Sequence, residues 1–573
     1  MIRTSGCLLL IAVLLLVPRA DGSPADAAPP PREKKIEPGT TALAEPSNKM
    51  PLTGLAPAKP MFDACVYKYP VSTTDAECQA FVNQGLGMYY SYVWIEAARA
   101  FETALRRDPE CAYAWLMLHR SMEKWGRPGA VPPPGPYVAA LGGLVYGKMP
   151  DRIGKSAQDY ALEMARKLMT KANPREQLLI QARLQERGML PGVGPDERRK
   201  KAMQSLDELL ALYEDDEEGW FWRAQLAGQD GPNATAVFYK ALLRVNPLHP
   251  GANHEFVHFF ENVRRPALGW PYAENYIRSS PGIPHAYHMQ AHLGTRIGKW
   301  GTTSDWSARA IELEVEYHKY QGVTPGEDHQ FNHHMETLTR SLVHDGRFVE
   351  AKAIKSMAEG HKYSFRPEWL RMTIAQRDWS ESQKLIDQFR KSDKATGAYY
   401  AALVALEKGD TDQAGREIDT LRHSAQSRKS DKSTERRMWE VQGRHLCQTG
   451  DGDAGLKLLK KLVDATKNDF GHHAWGNGAV YMESWGIGAL EAGNAIEAEE
   501  AFQEALAHDA GSVRGALGMW ALCERVGRTE EAERYLKLAH RVWAKADPRD
   551  FAGIQADLAK RAGKITKAVA RGE

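Results

Sequence analysis

No apolar run in this sequence exceeds the 11 residues from Cys7 to Val17. A spanning helix needs roughly 18 or more, so no membrane span is expected. Charge of one sign is also lacking: 75 Lys plus Arg against 73 Asp plus Glu leave +2. No uniform field therefore draws in nucleic acid or a lipid surface. The six cysteines include no Cys-x-x-Cys pair, and neither a G-x-x-x-x-G-K-[ST] loop nor a G-x-S-x-G elbow occurs. Thiol-redox, nucleotide and serine-hydrolase chemistry thus lack a local signal. From about residue 61 onward no alternating apolar runs bounded by turns suggest a sheet.

What is present begins with Arg3, the apolar run, and the small-x-small stretch Ala20-Asp21-Gly22. Residues 1–22 read as a secretory signal peptide, which implies an exported chain, periplasmic or extracellular after cleavage. Residues 23–60 are rich in Pro and Ala with almost no aromatic or β-branched residues, and are expected to be a disordered linker. Beyond the signal lie Cys65, Cys78, Cys111, Cys447 and Cys523, an odd set. In an oxidising compartment Cys65 and Cys78, close in sequence, are the nominated disulfide; five buried free thiols are the alternative.

A period organises the rest. EAEEAFQEAL at 497–506 returns 34 residues later as EAERYLKLAH at 531–540. Ala498 maps to Ala532, Phe502 to Leu536 and Ala505 to Ala539. Near the other end, Gly85, Ala97, Phe101, Ala104 and Pro109 repeat the small-residue, A-x-x-x-F and closing-Pro spacing. Small residues let two helices approach, the phenylalanine fills the gap between hairpins, and the proline stops the second helix. Looser copies stand at 345–354, 408–418 and 449–459. On these residues the chain resembles the tetratricopeptide repeat, whose period is 34. The runs ANPREQLLIQARL, NPLHPGANHEFVHFFE and PHAYHMQAHLGTRIGKW resemble a group of exported bacterial repeat proteins with histidines in these helices. That resemblance implies a fold and an exported location, and no settled activity.

The expected fold class is all-α, a tetratricopeptide-like α-solenoid of stacked antiparallel helix hairpins. Its parts are N-terminal hairpins at 61–125, a Pro/Gly-rich insertion at 126–150, and central histidine-rich repeats at 151–345. A C-terminal array at 346–547 and a terminal helix with a fraying tail at 548–573 follow. Tryptophans such as Trp115, Trp220, Trp222, Trp270, Trp300 and Trp306 are expected in the core at this spacing, a peptide groove being the other place for them.

Eleven of the 19 histidines fall between residues 249 and 344. His254 and His258 are four apart, as are His288 and His292, and the two pairs are offset by 34. One period apart in a stack means lateral neighbours, so the four imidazoles are expected to form a two-by-two patch able to share an ion. His285, His329, His333, His334, Glu255 and Glu261 stand ready to extend it. Four imidazoles without a thiolate suit Zn, Cu, Ni or Fe. Hydrogen bonding of the same rings to buried carboxylates or backbone is the competing reading.

Residues 254–258 also have the H-E-x-x-H spacing of zinc proteases, with Glu255 as the alternative catalytic base. The extended ligand form is absent after His258, and Glu274, the remaining third ligand, lies in a stretch interrupted by Pro266 and Pro271. The leading expectation is therefore an exported scaffold that binds a protein or peptide partner through a concave helical surface, with no complete catalytic machinery and no certain cofactor. The alternative is a metal-binding protein or metal-dependent hydrolase holding Zn or another transition metal on His254, His258, His288 and His292.

Overall fold

The computed structural model describes residues 49–50, 52–125, 157–426, 432–469 and 478–566. The signal peptide, the linker up to residue 48 and the insertion at 126–150 lie outside the described residues. Among the described residues every regular element is helical, and none is long and apolar enough to cross a membrane. The first three helices are α1 (Ala76–Tyr90), α2 (Trp94–Arg107) and α3 (Ala112–Trp125). Then come α4 (Ala157–Leu168), α5 (Pro174–Glu186), α6 (Arg198–Leu212), α7 (Glu217–Ala227) and α8 (Pro232–Val245). The histidine-rich stretch is α9 (Pro250–Asn262), α10 (Pro266–Ser279), α11 (Pro284–Arg296), α12 (Trp300–Gln321) and α13 (Phe331–His344). Among the described residues twelve further helices run from Phe348 to Ala562.

Each start is written locally. Side chains of Asp75, Asn173, Asp216 and His249 accept backbone N–H groups of the following turn, and prolines 174, 232, 250, 266 and 284 open helices where no donor is lost. Pro266 thus begins α10 rather than breaking it, and the helix runs on through Pro271. Short connections pair α1 with α2, α5 with α6, α7 with α8, α9 with α10 and α11 with α12 as hairpins. The small-residue pattern does what its spacing implies. A Cβ on Gly85 would stand 2.7 Å from the Phe101 ring, and one on Gly486 2.5 Å from Phe502. Phe101 and Phe502 are fully buried, as are Ala97, Ala104, Ala498, Ala505, Ala532 and Ala539. Phe101 fills the inside of its own hairpin, whereas Phe502 also meets Gly518 of the next one.

Three expectations need correction. First, the linker ends earlier than residue 60. Met50, Leu52, Thr53 and Ala58 are buried, and Glu102 accepts the amides of Leu52 at 2.7 Å and Thr53 at 2.8 Å. Beyond it, residues 65–71 alternate, with Cys65, Tyr67, Tyr69 and Val71 buried and Val66, Lys68 and Pro70 exposed. This extended segment crosses the face built by the first helices of the hairpins. Tyr67 and Tyr69 donate to Glu218 and Asp216 of the α7 start at 3.0 Å each, and the Ser72 amide donates to Glu176 of α5 at 2.7 Å.

Second, Cys65 is not paired with Cys78. It packs against Gly87 and Ser280, Cys78 lies beside Cys111, and all five thiols are free and buried. Third, the C-terminal tail does not fray from its start, because Ile565 is fully buried and its carbonyl accepts from Arg525 at 2.7 Å. Five of the six tryptophans are core residues; Trp220 is half-buried.

The second half closes on itself. The Trp300 indole donates to Asp509 at 3.0 Å, that of Trp543 to the His344 carbonyl at 2.7 Å, and Lys545 meets Asp305 at 2.6 Å. Inside this closure Arg444, 1 % exposed, joins Glu407 at 3.1 Å and Glu491 at 3.0 Å, and Arg561 joins both carboxylates.

Two outcomes are expected. Glu102→Ala strands two buried amides, costing about 1–3 kcal/mol each, and limited proteolysis should then cut first at residues 49–60; unaltered resistance there would show the segment is held by something else. His249 stays neutral because it is fully buried and its Nδ1 accepts the Ala252 amide at 3.1 Å; burial pushes its imidazole down to about 3. The unfolded ring takes up its proton near pH 6.5, so stability is whole above that value and falls as pH drops toward about 3, by up to about 1.4 kcal/mol per pH unit. His249→Asn keeps an acceptor and should flatten this slope in urea titrations from neutral to acid pH.

Candidate metal centre

The histidines belong to α9, α11 and α13, the helices that open successive hairpins, and they share one face with Glu176 and Glu218 farther back in the chain. A spacing of four on a helix puts two side chains one above the other. His254 Nε2 accordingly lies 3.1 Å from His258 Nε2 on α9, and His288 Nε2 lies 2.7 Å from His292 Nε2 on α11. The two pairs are neighbours, with His258 and His292 rings 6.5 Å apart. They do not merge into one four-ligand set. His254 Nε2 meets His285 Nε2 at 3.1 Å instead, and His292 Nε2 meets His333 Nε2 at 3.4 Å. His288, His292 and His333 each offer a nitrogen within 4.8 Å of the others, so the predicted quartet divides between two trios.

The protons of these rings are fixed by what lies behind them. The Tyr90 carbonyl can only accept, so His254 Nδ1–H donates to it at 2.7 Å. Glu261, 4 % exposed, accepts from His258 Nδ1–H at 3.2 Å and has His292 Nδ1 at 3.3 Å and Arg296 Nε at 2.8 Å. Burial alone would raise the Glu261 carboxyl, but His292, His258 and Arg296 together hold it well below the usual carboxylate range. With Nδ1 protonated, His254, His258 and His292 each turn an Nε2 lone pair toward the other rings. This carboxylate–histidine arrangement is the outer shell that orients metal-ligating imidazoles. Burial, and then the neighbouring rings, hold His254, His285 and His288 well below the ordinary imidazole range. Burial also brings His333 down to about 3.

Around the rings stand groups the sequence reading passed over. Tyr92, in the α1–α2 turn, has a left-handed backbone with φ of 58°, uncommon for a residue with a side chain. That turn lays its ring 4.3 Å from His254 and stacks it on His258 at 5.9 Å. Its hydroxyl donates to Glu255 at 2.9 Å, which also accepts from Gln225 at 3.2 Å. Glu255 is therefore turned to Tyr92 and Gln225, one residue round the helix from His254, and is not placed as a base at the ring nitrogens. Glu274 accepts from Trp270 at 2.9 Å within α10; His285 occupies the third-ligand place beside the 254–258 pair. His334 lies behind His288, ring centres 4.0 Å apart, with Nδ1 2.9 Å from Glu314. His318 meets Asp328 at 2.9 Å, and burial, then Asp328, keep Glu314 well above the carboxylate range. His329 is exposed and stacks on Trp94 at the rim. No element of the sequence marked Tyr92 or Arg296.

No protein family matches the chain, and no curated protein does. Among solved structures, yeast Tom70 aligns at 12% identity over 84% of this chain and 93% of its own, with a TM-score of 0.23. The APC/C hetero-tetramer Cut9–Hcn1 aligns at 10% identity over 81% and 96%, TM-score 0.28. The P58(IPK) TPR domain aligns at 9% over 81% and 99%, TM-score 0.22. At TM-scores this low the superpositions carry no argument about this chain.

Glu261→Ala removes the acceptor of two imidazole N–H groups and the carboxylate facing Arg296. Breaking a buried pair costs roughly 3–5 kcal/mol, and urea unfolding of metal-free protein should show a loss of that size. A change below about 1 kcal/mol, the level of an exposed ion pair, would mean the carboxylate does not organise these rings.

Proposed function

We propose that this chain is a metal-binding helical-repeat protein that holds a first-row transition ion on His288, His292 and His333. The observation that carries the reading is three ring nitrogens gathered within 4.8 Å of one another, one of them on a ring whose proton is held on the far side. His292 keeps its proton toward Glu261 while its Nε2 stands 2.7 and 3.4 Å from those of His288 and His333. Two nitrogens bound to one tetrahedral ion at 2.0–2.1 Å stand about 3.3 Å apart, so a cation needs little adjustment here. Neutral imidazoles without thiolate select Zn, Cu, Ni or Fe over Ca or Mg. Solvent reaches the trio through His333, the half-buried member of the three. With residues 1–22 read as a leader, the ion is acquired outside the cytoplasm.

A second reading, the scaffold for a protein partner, is supported by the hairpin array. Its favouring observation is apolar exposure on second helices: Leu212 of α6, Val237 of α8, Leu268 of α10 and Val315 of α12 are 63, 66, 59 and 44 % exposed. The face of the first helices offers less room, since residues 52–73 already cross it. The two readings are compatible in one chain, and neither requires Glu255 as a base.

Protein prepared without chelator is expected to contain Zn, Cu, Ni or Fe by elemental analysis. The double change His288→Ala, His333→Ala should lower the content by one ion per chain while far-ultraviolet circular dichroism stays helical. A folded parent chain that arrives empty and takes up neither Zn nor Cu at micromolar concentration would sink the metal reading.

A further inference from the structure

The other trio has the stronger internal argument. His254 Nε2 stands between His258 Nε2 and His285 Nε2, 3.1 Å from each. In the first of these pairs both rings commit their proton to Nδ1: His254 to the Tyr90 carbonyl and His258 to Glu261. Two lone pairs therefore face each other at hydrogen-bond distance with no proton between them. His285 turns its own Nε2 to that of His254, and no partner among the described residues fixes which of its nitrogens carries the proton, its buried Nδ1 having none. An uncompensated arrangement of this kind is costly in a buried site. A cation on these nitrogens removes the repulsion; the two spacings from His254, 3.1 Å each, lie close to the roughly 3.3 Å of ligands on one tetrahedral ion, while His258 and His285 do not draw together as His288, His292 and His333 do and must close to complete the set.

The two trios are adjacent and share their support. His285 and His288 rings are 5.7 Å apart, His258 and His292 rings 6.5 Å, and Glu261 holds His258 of one trio and His292 of the other. His258, 31 % exposed, and the half-buried His333 open the pair to solvent between them. Tyr92 covers the opposite side, its ring within 4.3 Å of His254.

We propose that the face holds a pair of first-row transition ions, the second on His254, His258 and His285, with the remaining coordination positions of both open to a small water-derived ligand. This rests on the reading of His288, His292 and His333 as the first site. Three imidazoles and an open position per ion are the pattern of a site that binds an exogenous ligand rather than a closed structural one. The shared Glu261 couples the sites: loading one stiffens a ring of the other through the carboxylate both lean on.

The test uses the chelator-stripped full chain titrated with Cu(II), bound copper being counted per chain after desalting. The parent is expected to bind two ions, and both His254→Ala, His285→Ala and His288→Ala, His333→Ala are expected to bind one. Saturated parent should also give the half-field electron paramagnetic resonance line of a coupled copper pair, which neither double variant gives. One ion in the parent, unaffected by the 254/285 changes and lost with the 288/333 changes, overturns the second site and leaves the first standing. No uptake by folded parent overturns both. Two ions with only isolated-centre spectra overturn the pairing. The parent stoichiometry and spectrum decide the matter even if a variant fails to fold.

Discussion

The constraint on which the rest depends is that the first helices of successive hairpins turn polar side chains onto one buried face. Stacking hairpins buries both sides of each helix, and a buried polar group needs a partner. In this chain two chemistries answer that need along the same row. Glu176, Asp216 and Glu218 are acceptors, and residues 52–73 supply them with hydroxyl and amide donors; Tyr90 and Trp222 add further donors to Glu218. Farther on the row is imidazole, and the rings are answered from behind by Tyr90 and Glu261, the carboxylate being held in turn by Arg296. In front, the ring nitrogens face one another.

The second half meets the same need by closure. An array with only nearest-neighbour contacts leaves its inner face wet, whereas here Trp300, His344 and Asp305 contact residues 509–545. The charge cluster of Arg444, Arg561, Glu407 and Glu491 is enclosed by that closure. Such a cluster adds little net stability over apolar packing, but losing one member leaves a buried charge unmatched.

The repeat was legible because its packing rule is local. Gly85 with Phe101, and Gly486 with Phe502, are pairs within one hairpin, so composition at fixed spacing reports them directly. The placing of 254–258 beside 288–292 rested on the period between hairpins instead: His258 lies beside His292, whereas His254 meets His285. His333 was not assigned a place, because the period fails there: α12 has 22 residues and a connection of nine follows, so the next equivalent ring comes 41 residues after His292 rather than 34. The division of four predicted ligands into two trios follows from that slip together with His285, one turn ahead of His288. The extended segment was hidden differently. Its alternation over residues 65–71 is strand-like, yet it pairs with helix ends instead of a strand, and nothing short-range in the sequence names such a partner.

Tyr92 shows how the two halves of this face are joined. Its left-handed backbone is a strained choice for a tyrosine, and strain persists where surrounding contacts over-determine it. Those contacts are Glu255 on one side and the imidazoles of α9 and α11 on the other. The preceding turn residue Ser91 accepts from Tyr276 at 2.7 Å, and Tyr90 supplies the carbonyl that fixes the His254 tautomer. Three consecutive residues at the end of one N-terminal helix thus set the proton position, the packing and the cover of rings some 160 residues later. The distance between them in the chain is what makes the centre a property of the folded array: no isolated hairpin contains both the imidazoles and the groups that aim them.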